Sequence, residues 1–307
     1  MEIRVLKNYM VVARLRNITT AATVLNISQP ALSTQIKHLE EELGKQLLIR
    51  SGRGDKRLSL TEEGRILCKR AEEILTLVTR TEDEIRQPED TISGTVSIGA
   101  GETKAMEIAA KAAYHLRSKY PRIRFELTSG NAQLITDYLD KGLLDIGLVL
   151  CEPDRTRFSF IPLDVPDRWG ILMPSDSPLA QQDDIQPADV LDLPLIVSRQ
   201  EGESETLQTL LQAEYEHLDI VATYNLAHNA AQLVREGLGY AICYDSLVNT
   251  DDPTLCFRPF QDQPVIPGFF IWKQERLFSR AAAAYLNELK QLMEENRTAE
   301  QAARKQR

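Results

Sequence analysis

Gln29, Pro30, Ser33, Thr34 and Lys37 recur at spacings that gather them on one side of a single helix, with Leu32, Ile36 and Leu39 on the other. Amide and hydroxyl groups near the start of a helix can hydrogen-bond the edges of bases, and an ammonium further along can pair with phosphate; the Pro30 ring can pack on a thymine methyl. An ordinary surface helix has the same periodicity, so spacing alone leaves both readings open. A second basic group follows in Arg50–Arg57, where glycines accompany Arg53, Lys56 and Arg57 in a candidate hairpin suited to phosphate or minor-groove contact.

Other chemistries find less support. Cys68, Cys151, Cys243 and Cys256 are far apart and read as reduced thiols, and His38, His115, His217 and His228 show no metal spacing, so no metal site is expected. Ser97–Lys104 follows a strand and opens a helix as a dinucleotide fingerprint does, but Lys104 stands where the third glycine belongs; Gly44-Lys45 is followed by Gln46, which is no phosphate loop. A free helix N-terminus at this point still suits a carboxylate or phosphate on a small ligand. With no nucleophile elbow and no paired acid and base, the expectation is no catalytic residue and no cofactor; an enzyme would need a site assembled from scattered residues.

Caps and periodicity indicate what positions the candidate groups. Ser28 is a good N-cap and Pro30 falls in the first turn, which predicts a helix from about Gln29 to Glu41. Asn26-Ile27-Ser28 separates it from a shorter helix over about Thr20–Leu25, and a first helix over Glu2–Leu15 turns Val5, Leu6, Tyr9 and Val12 inward. Leu47–Ile49 and Leu58–Leu60 flank the basic hairpin as short strands. Thr61-Glu62-Glu63-Gly64 then opens a helix to Arg86, in which Leu67, Ala71, Ile74, Val78, Thr81 and Ile85 alternate at spacings of four and three. A seam of this kind, on a rod of roughly 25 residues and about 37 Å, suits knobs-into-holes pairing with a second copy; a helix lying on its own domain is the alternative.

Charge separates the two ends of the chain. The 307 residues carry a net charge of −9, yet residues 1–61 hold ten Lys/Arg against five Asp/Glu, a balance of +5 that leaves −14 on the other 246. A basic head on an acidic body can hold nucleic acid at one end only. Early arginines and lysines interrupt any leader-like stretch, and no apolar run approaches a membrane span, so a soluble cytoplasmic protein with no membrane partner is expected.

After Gln87-Pro88-Glu89-Asp90 the pattern becomes α/β with a mainly parallel sheet. Strands are predicted at Gly94–Ile98, Arg124–Leu127, Asp145–Leu150, Trp169–Met173, Leu195–Ser198, Ile220-Val221, Tyr240–Cys243 and Phe269–Trp272. Helices are predicted near Lys104–Lys119, Ala132–Lys141, Glu205–Glu216, Ala230–Glu236 and Phe278–Asn296, with a polar tail, Thr298–Arg307, that frays.

In order and spacing, Ala21-Ala22, Leu25, Ser28–Ser33, Gln35-Ile36, Leu39-Glu40, Leu43-Gly44, Leu47 and Arg50 resemble the winged helix-turn-helix signature of LysR-type transcriptional regulators. Thr61-Glu62-Glu63-Gly64 resembles that family's entry to its linker helix. Gly94-x-x-x-Ile98-Gly99, Tyr120-Pro121, Leu139-x-x-Gly142-x-x-Asp145-Ile146, Pro178-Leu179-Ala180 and Val234-x-x-Gly237-Leu238-Gly239 more loosely resemble its effector domain. The chain departs from the family at Asn17-Ile18, Leu48, Ser177 and Tyr244, where other residues are common.

The resemblance implies a winged helix-turn-helix over residues 1–61, a dimerising linker helix over 62–91, and an α/β effector domain over 92–307 built like a periplasmic binding protein. Its subdomain I takes about 92–163 and 265–296, and its subdomain II about 164–264. Promoter DNA, a small-molecule effector with an anionic ligand in view, a homodimer through the linker helix and a homotetramer are the implied partners. Because ligands of open α/β sheets sit beyond the carboxyl ends of strands, Ala100, Gly101, Thr103, Thr128, Ser129, Ser198, Arg199 and Tyr244 are the expected effector contacts. A nucleoid-structuring protein, which needs the basic head and no cleft, is the competing class.

Overall fold

The computed structural model describes residues 1–50, 58–86, 91–164, 167–199, 205–245, 247, 252–262 and 266–305. By its contacts the chain divides into two compact units, Met1–Pro88 and Glu89–Arg307.

In the first unit, α1 (Ile3–Leu15) turns Leu6, Tyr9, Val12 and Ala13 inward and ends where Arg16 adopts a left-handed conformation. The helix α2 (Ile18–Val24) begins two residues before the predicted Thr20, because the Asn17 side chain caps it by accepting from the N–H groups of Thr19 and Thr20. Asn26, at φ 53°, bends the chain into α3 (Gln29–Leu43). Ser28 caps this helix through the Ala31 N–H, Pro30 occupies its first turn, and Gly44 at φ 65° closes it. Next come β1 (Leu48–Arg50) and β2 (Leu58–Leu60), paired antiparallel with Leu48 opposite Leu60. The hairpin residues Arg53, Lys56 and Arg57 lie outside the described residues.

The long helix α4 (Glu62–Arg86) is capped by the Thr61 hydroxyl, which accepts from the Gly64 N–H at 2.9 Å. Tyr9 donates to the Gly64 carbonyl at 2.8 Å, and a Cβ at Gly64 would stand 2.2 Å from the Leu47 carbonyl oxygen, so only glycine lets α4 approach this closely. The predicted seam therefore divides. Leu67 packs on the head's own core and Ala71 is buried, whereas Ile74, Val78, Thr81 and Ile85 continue beyond it, with Leu77 and Glu82 beside them along a shallow apolar groove.

The second unit has two lobes. The first contains β3 (Gly94–Ala100), α5 (Met106–Lys119), β4 (Ile123–Ser129), α6 (Ala132–Asp140), β5 (Ile146–Val149) and β6 (Phe158–Pro162). The chain then crosses to β7 (Trp169–Pro174), β8 (Leu195–Ser198), α7 (Glu205–Leu211), β9 (Ile220–Tyr224), α8 (Ala227–Arg235), β10 (Tyr240–Tyr244) and β11 (Leu255–Pro259). It returns to the first lobe for β12 (Phe269–Lys273) and α9 (Arg280–Lys305). The sheets run β4-β3-β5-β12-β6 and β11-β7-β10-β8-β9.

Both sheets are mainly parallel, as expected, with one reversed strand in each. β12 runs against β5 and β6, and β7 runs against β10 and β11, since the strands that enter each lobe from the crossings arrive in the opposite sense. The two crossings lie side by side as an antiparallel bridge, Asp167 to Ile266. Several predicted boundaries also move. α7 stops at Leu211 because Gln212 is left-handed at φ 54°, and only a short 3-10 turn follows at Tyr215–His217. α8 starts at Ala227, three residues early, and α9 continues through the expected frayed tail to Lys305, a stretch rich in Ala, Glu, Gln, Arg and Lys with no Gly or Pro to stop it. β6 and β11 are absent from the predicted strands.

Candidate functional site: an exposed helix face and an interlobe cleft

On α3 the inner row, Leu32, Ile36 and Leu39, is buried in the head core. The opposite row presents Gln29, Pro30, Thr34 and Lys37 exposed and Ser33 half-buried. The Gln29 amide donates to the Ser33 hydroxyl at 2.8 Å, which leaves the Gln29 carbonyl side outward as an acceptor. Lys37 stands 3.3 Å from Glu41 one turn on, both of them largely exposed. Such a surface pair is weak and screened by salt, so the ammonium can exchange this partner for a phosphate at little cost.

Residues outside the expected set hold this face in place. Asn8 donates to Gln35 at 2.7 Å and ties α1 to α3, and Glu40 accepts from the N–H groups of Leu47 and Leu48, fastening the end of α3 to the start of the hairpin. Glu40 belongs to the signature quoted above, but its role as an acceptor for a later strand has no local signal.

The cleft between the lobes holds a cavity of about 660 Å³, in the range that takes a small organic ligand. Gly101, Ser129, Ser198, Arg199 and Tyr244, all expected from strand ends, line it. Glu102, inside the expected segment Ala100–Thr103, lines it too, and so do Asn131, Trp169, Tyr224 and Asn225, which are not among the expected contacts. Trp169 and Tyr244 stack at 4.3 Å between ring centroids, tilted by 55°, to form an aromatic wall. The backbone N–H of Arg199 donates to the Tyr224 carbonyl at 2.7 Å, which holds the Arg199 segment against the end of β9.

Three expected contacts are elsewhere. Ala100 belongs to the core of the first lobe. Thr128, one position along β4 from Ser129, points to the opposite face of the sheet, as strand alternation requires. Thr103 is buried with its hydroxyl committed: it donates to Asp167 Oδ2 at 2.5 Å and accepts from the Ala105 N–H at 3.1 Å. Asp167 Oδ1 also accepts from the Lys104 N–H at 3.4 Å. The backbone N–H groups ahead of α5, expected to face a ligand anion, are thus taken by the chain's own Asp167 and Thr103. Burial raises the Asp167 carboxyl above its ordinary range, the bonds from Thr103 and Lys104 oppose that shift, and nearby Asp245 adds to it. Asp245 in turn accepts from the backbone N–H and the guanidinium of Arg168, so polar bonds link both lobes to the crossing strands.

Cys151 and Cys243 also line the cleft. Burial raises both thiols, Cys243 to about 12, so neither is a thiolate nucleophile at neutral pH. Among the described residues no group of three His, Cys, Asp or Glu is placed to hold a metal ion, and no helix is long and apolar enough to cross a membrane.

Residues 3–65 match the family model described as the bacterial regulatory helix-turn-helix protein, lysR family, and residues 89–294 match the LysR substrate binding domain. The chain is 27% identical over 242 residues to the uncharacterized HTH-type transcriptional regulator YvbU of Bacillus subtilis (strain 168), covering 79% of this chain and 81% of that one. It is 28% identical over 249 residues to the HTH-type transcriptional regulator CysL of the same organism, covering 80% and 82%. Its fold is similar to that of full-length CbnR complexed with its target DNA, with a TM-score of 0.76 at 20% identity over 95% of this chain and 100% of that one. Full-length BenM is similar with a TM-score of 0.53 at 22% identity, covering 98% of each.

Proposed function

This chain belongs to the LysR family of bacterial regulatory helix-turn-helix proteins, and from that premise we propose how its residues carry out DNA-binding transcriptional regulation. Residues 1–61 form the DNA-binding head, 62–91 the linker, and 92–307 the effector domain. Gln29 and Ser33 read base edges in the major groove, Pro30 packs on a thymine methyl, Thr34 hydrogen-bonds and Lys37 neutralises phosphate. Arg53, Lys56 and Arg57 reach the backbone or minor groove beside them.

A small-molecule effector occupies the cleft against Gly101, Ser129, Ser198, Arg199 and Tyr244. Its hydroxyl-lined, aromatic-walled cavity suits a compact acceptor-bearing ligand, with Arg199 as partner for a carboxylate. Two copies pair through the outer half of α4, where Ile85 is 79% exposed and Leu77 39%, and two such dimers form a tetramer. The protein acts by binding rather than by catalysis, and in the cytoplasm.

The observation that carries this reading is the combination, in one chain, of an outward amide, hydroxyl and lysine face with a cleft of about 660 Å³ between two lobes. A nucleoid-coating protein has use for the first and none for the second. Footprinting on promoter DNA is the test: discrete protected sites support regulation, and uniform coating overturns it. A thermal-shift screen of metabolites on the full chain then identifies the effector.

A further inference from the structure

The helix α8 begins without a side-chain cap of its own. Its N-cap residue is Leu226, which offers no acceptor. The Ala227 N–H is instead satisfied at 2.7 Å by Glu102 Oε2, from a loop 125 positions earlier in the chain and on the other side of the cleft. Glu102 follows β3 in the first lobe, Ala227 opens α8 in the second, and Glu102 lines the cavity between them. A carboxylate at this point meets the positive end of the helix dipole as well as an otherwise orphaned donor.

Of the other two helix starts near the cleft, one is capped within its own first turn and the other is served by its own loop together with the crossing strand. Asn131 caps α6 through the Leu134 N–H at 2.9 Å, and Thr103 with Asp167 serves the turn before α5. Only α8, of these three, takes its cap from the opposite lobe. We propose that the Glu102 carboxylate is a latch across the cleft: bound to the α8 N-terminus it holds the lobes together, and a ligand that reaches the first turn of α8 has to displace it, so that filling the cleft and releasing the latch are one event. The inference rests on the effector reading for this regulatory consequence alone. The latch itself is read without an effector, so either can fail by itself.

The test uses the full chain in three forms, wild type, Glu102→Ala and Glu102→Gln. Glutamine keeps a carbonyl oxygen for the Ala227 N–H and loses the charge; alanine loses both. Two quantities are followed: hydrogen exchange of the first-turn amides of α8, and the rate at which a small alkylating reagent modifies Cys243, which lines the cleft and is buried at 2% exposure. The expected result is that Glu102→Ala accelerates both at least tenfold, with exchange in the last turn of α8 unchanged, while Glu102→Gln stays within a fewfold of wild type. Equal alkylation in Glu102→Ala and wild type would show a local helix cap and no latch. Equal acceleration by Ala and Gln would show that the charge near the thiol, not lobe opening, sets its reactivity, and would also overturn the proposal. Loss of last-turn protection in Glu102→Ala would mark unfolding, in which case Glu102→Asp, too short to span the same gap, decides by the same two readouts.

Discussion

Replacing Thr103 by Val keeps the side-chain shape and removes the hydroxyl that donates to Asp167 at 2.5 Å. The bond is short enough to be charge-assisted, and Asp167 is fully buried, so the loss leaves a buried carboxylate with one partner fewer. Hydrogen bonds to charged groups contribute about 1.5–3 kcal/mol, and a loss near 2 kcal/mol corresponds to a fall of roughly 4–8 °C in Tm for a unit of this size. The penalty also has a pH dependence of fixed sign. Because burial raises the Asp167 carboxyl, the native protein holds that proton more tightly than the unfolded chain, and stability is lost as pH rises through the folded pKa. Removing Thr103's bond, which favours the ionised form, raises the carboxyl further. The destabilisation by Thr103→Val is therefore largest at neutral pH and shrinks as pH falls through the folded pKa. Calorimetric unfolding of both proteins from about pH 8 to about pH 4 measures it. A penalty that is absent at neutral pH, or that grows on acidification, refutes the assignment of Thr103 as a fastener of the crossing strands.

Gln29→Ala is expected to lose ~1–3 kcal/mol of discrimination between specific and random DNA while binding to random DNA hardly changes; gel-shift titrations on both sites check this, and equal weakening would make Gln29 a phosphate contact. Arg53, Lys56 and Arg57 changed together to Ala should flatten the plot of log affinity against log salt by ~0.9 for each true phosphate contact, and an unchanged slope returns the hairpin to solvent. Ile74→Asp, in the outer half of the α4 seam, should place paired charges in an apolar interface and shift the protein to smaller species in sedimentation; an intact oligomer places the assembly elsewhere. Once thermal shift has identified an effector, Ser129→Ala should weaken its calorimetric affinity without altering ligand-free DNA binding, whereas full affinity in the variant removes Ser129 from the contact set.

Which features could be read from the sequence follows the range over which their causes act. The start of α3 was legible because Ser28 and Pro30 lie within a turn of it, and its inner row because Leu32, Ile36 and Leu39 repeat locally. The strand ends lining the cleft were legible for the same reason, since a β-to-loop transition places Gly101, Ser129, Ser198 and Tyr244 regardless of what faces them. Causes that act from a distance left no such trace. Leu226 is a poor cap, so periodicity delayed α8 to Ala230, and the true start at Ala227 depends on Glu102 arriving from the other lobe. Thr103 had the residue type of a ligand contact, but its hydroxyl faces a carboxylate delivered by the crossing strand 64 positions later. The reversed strand in each sheet has the same origin, because the chain enters the second lobe and re-enters the first through those crossings and not through a local hairpin or helix. The unforeseen contacts of Glu102 and Asp167 therefore both belong to the joint between the lobes. On the effector reading the lobes move at this joint, and single side chains reaching across it, in place of continuous secondary structure, give bonds that can be broken and remade without disturbing the sheets on either side.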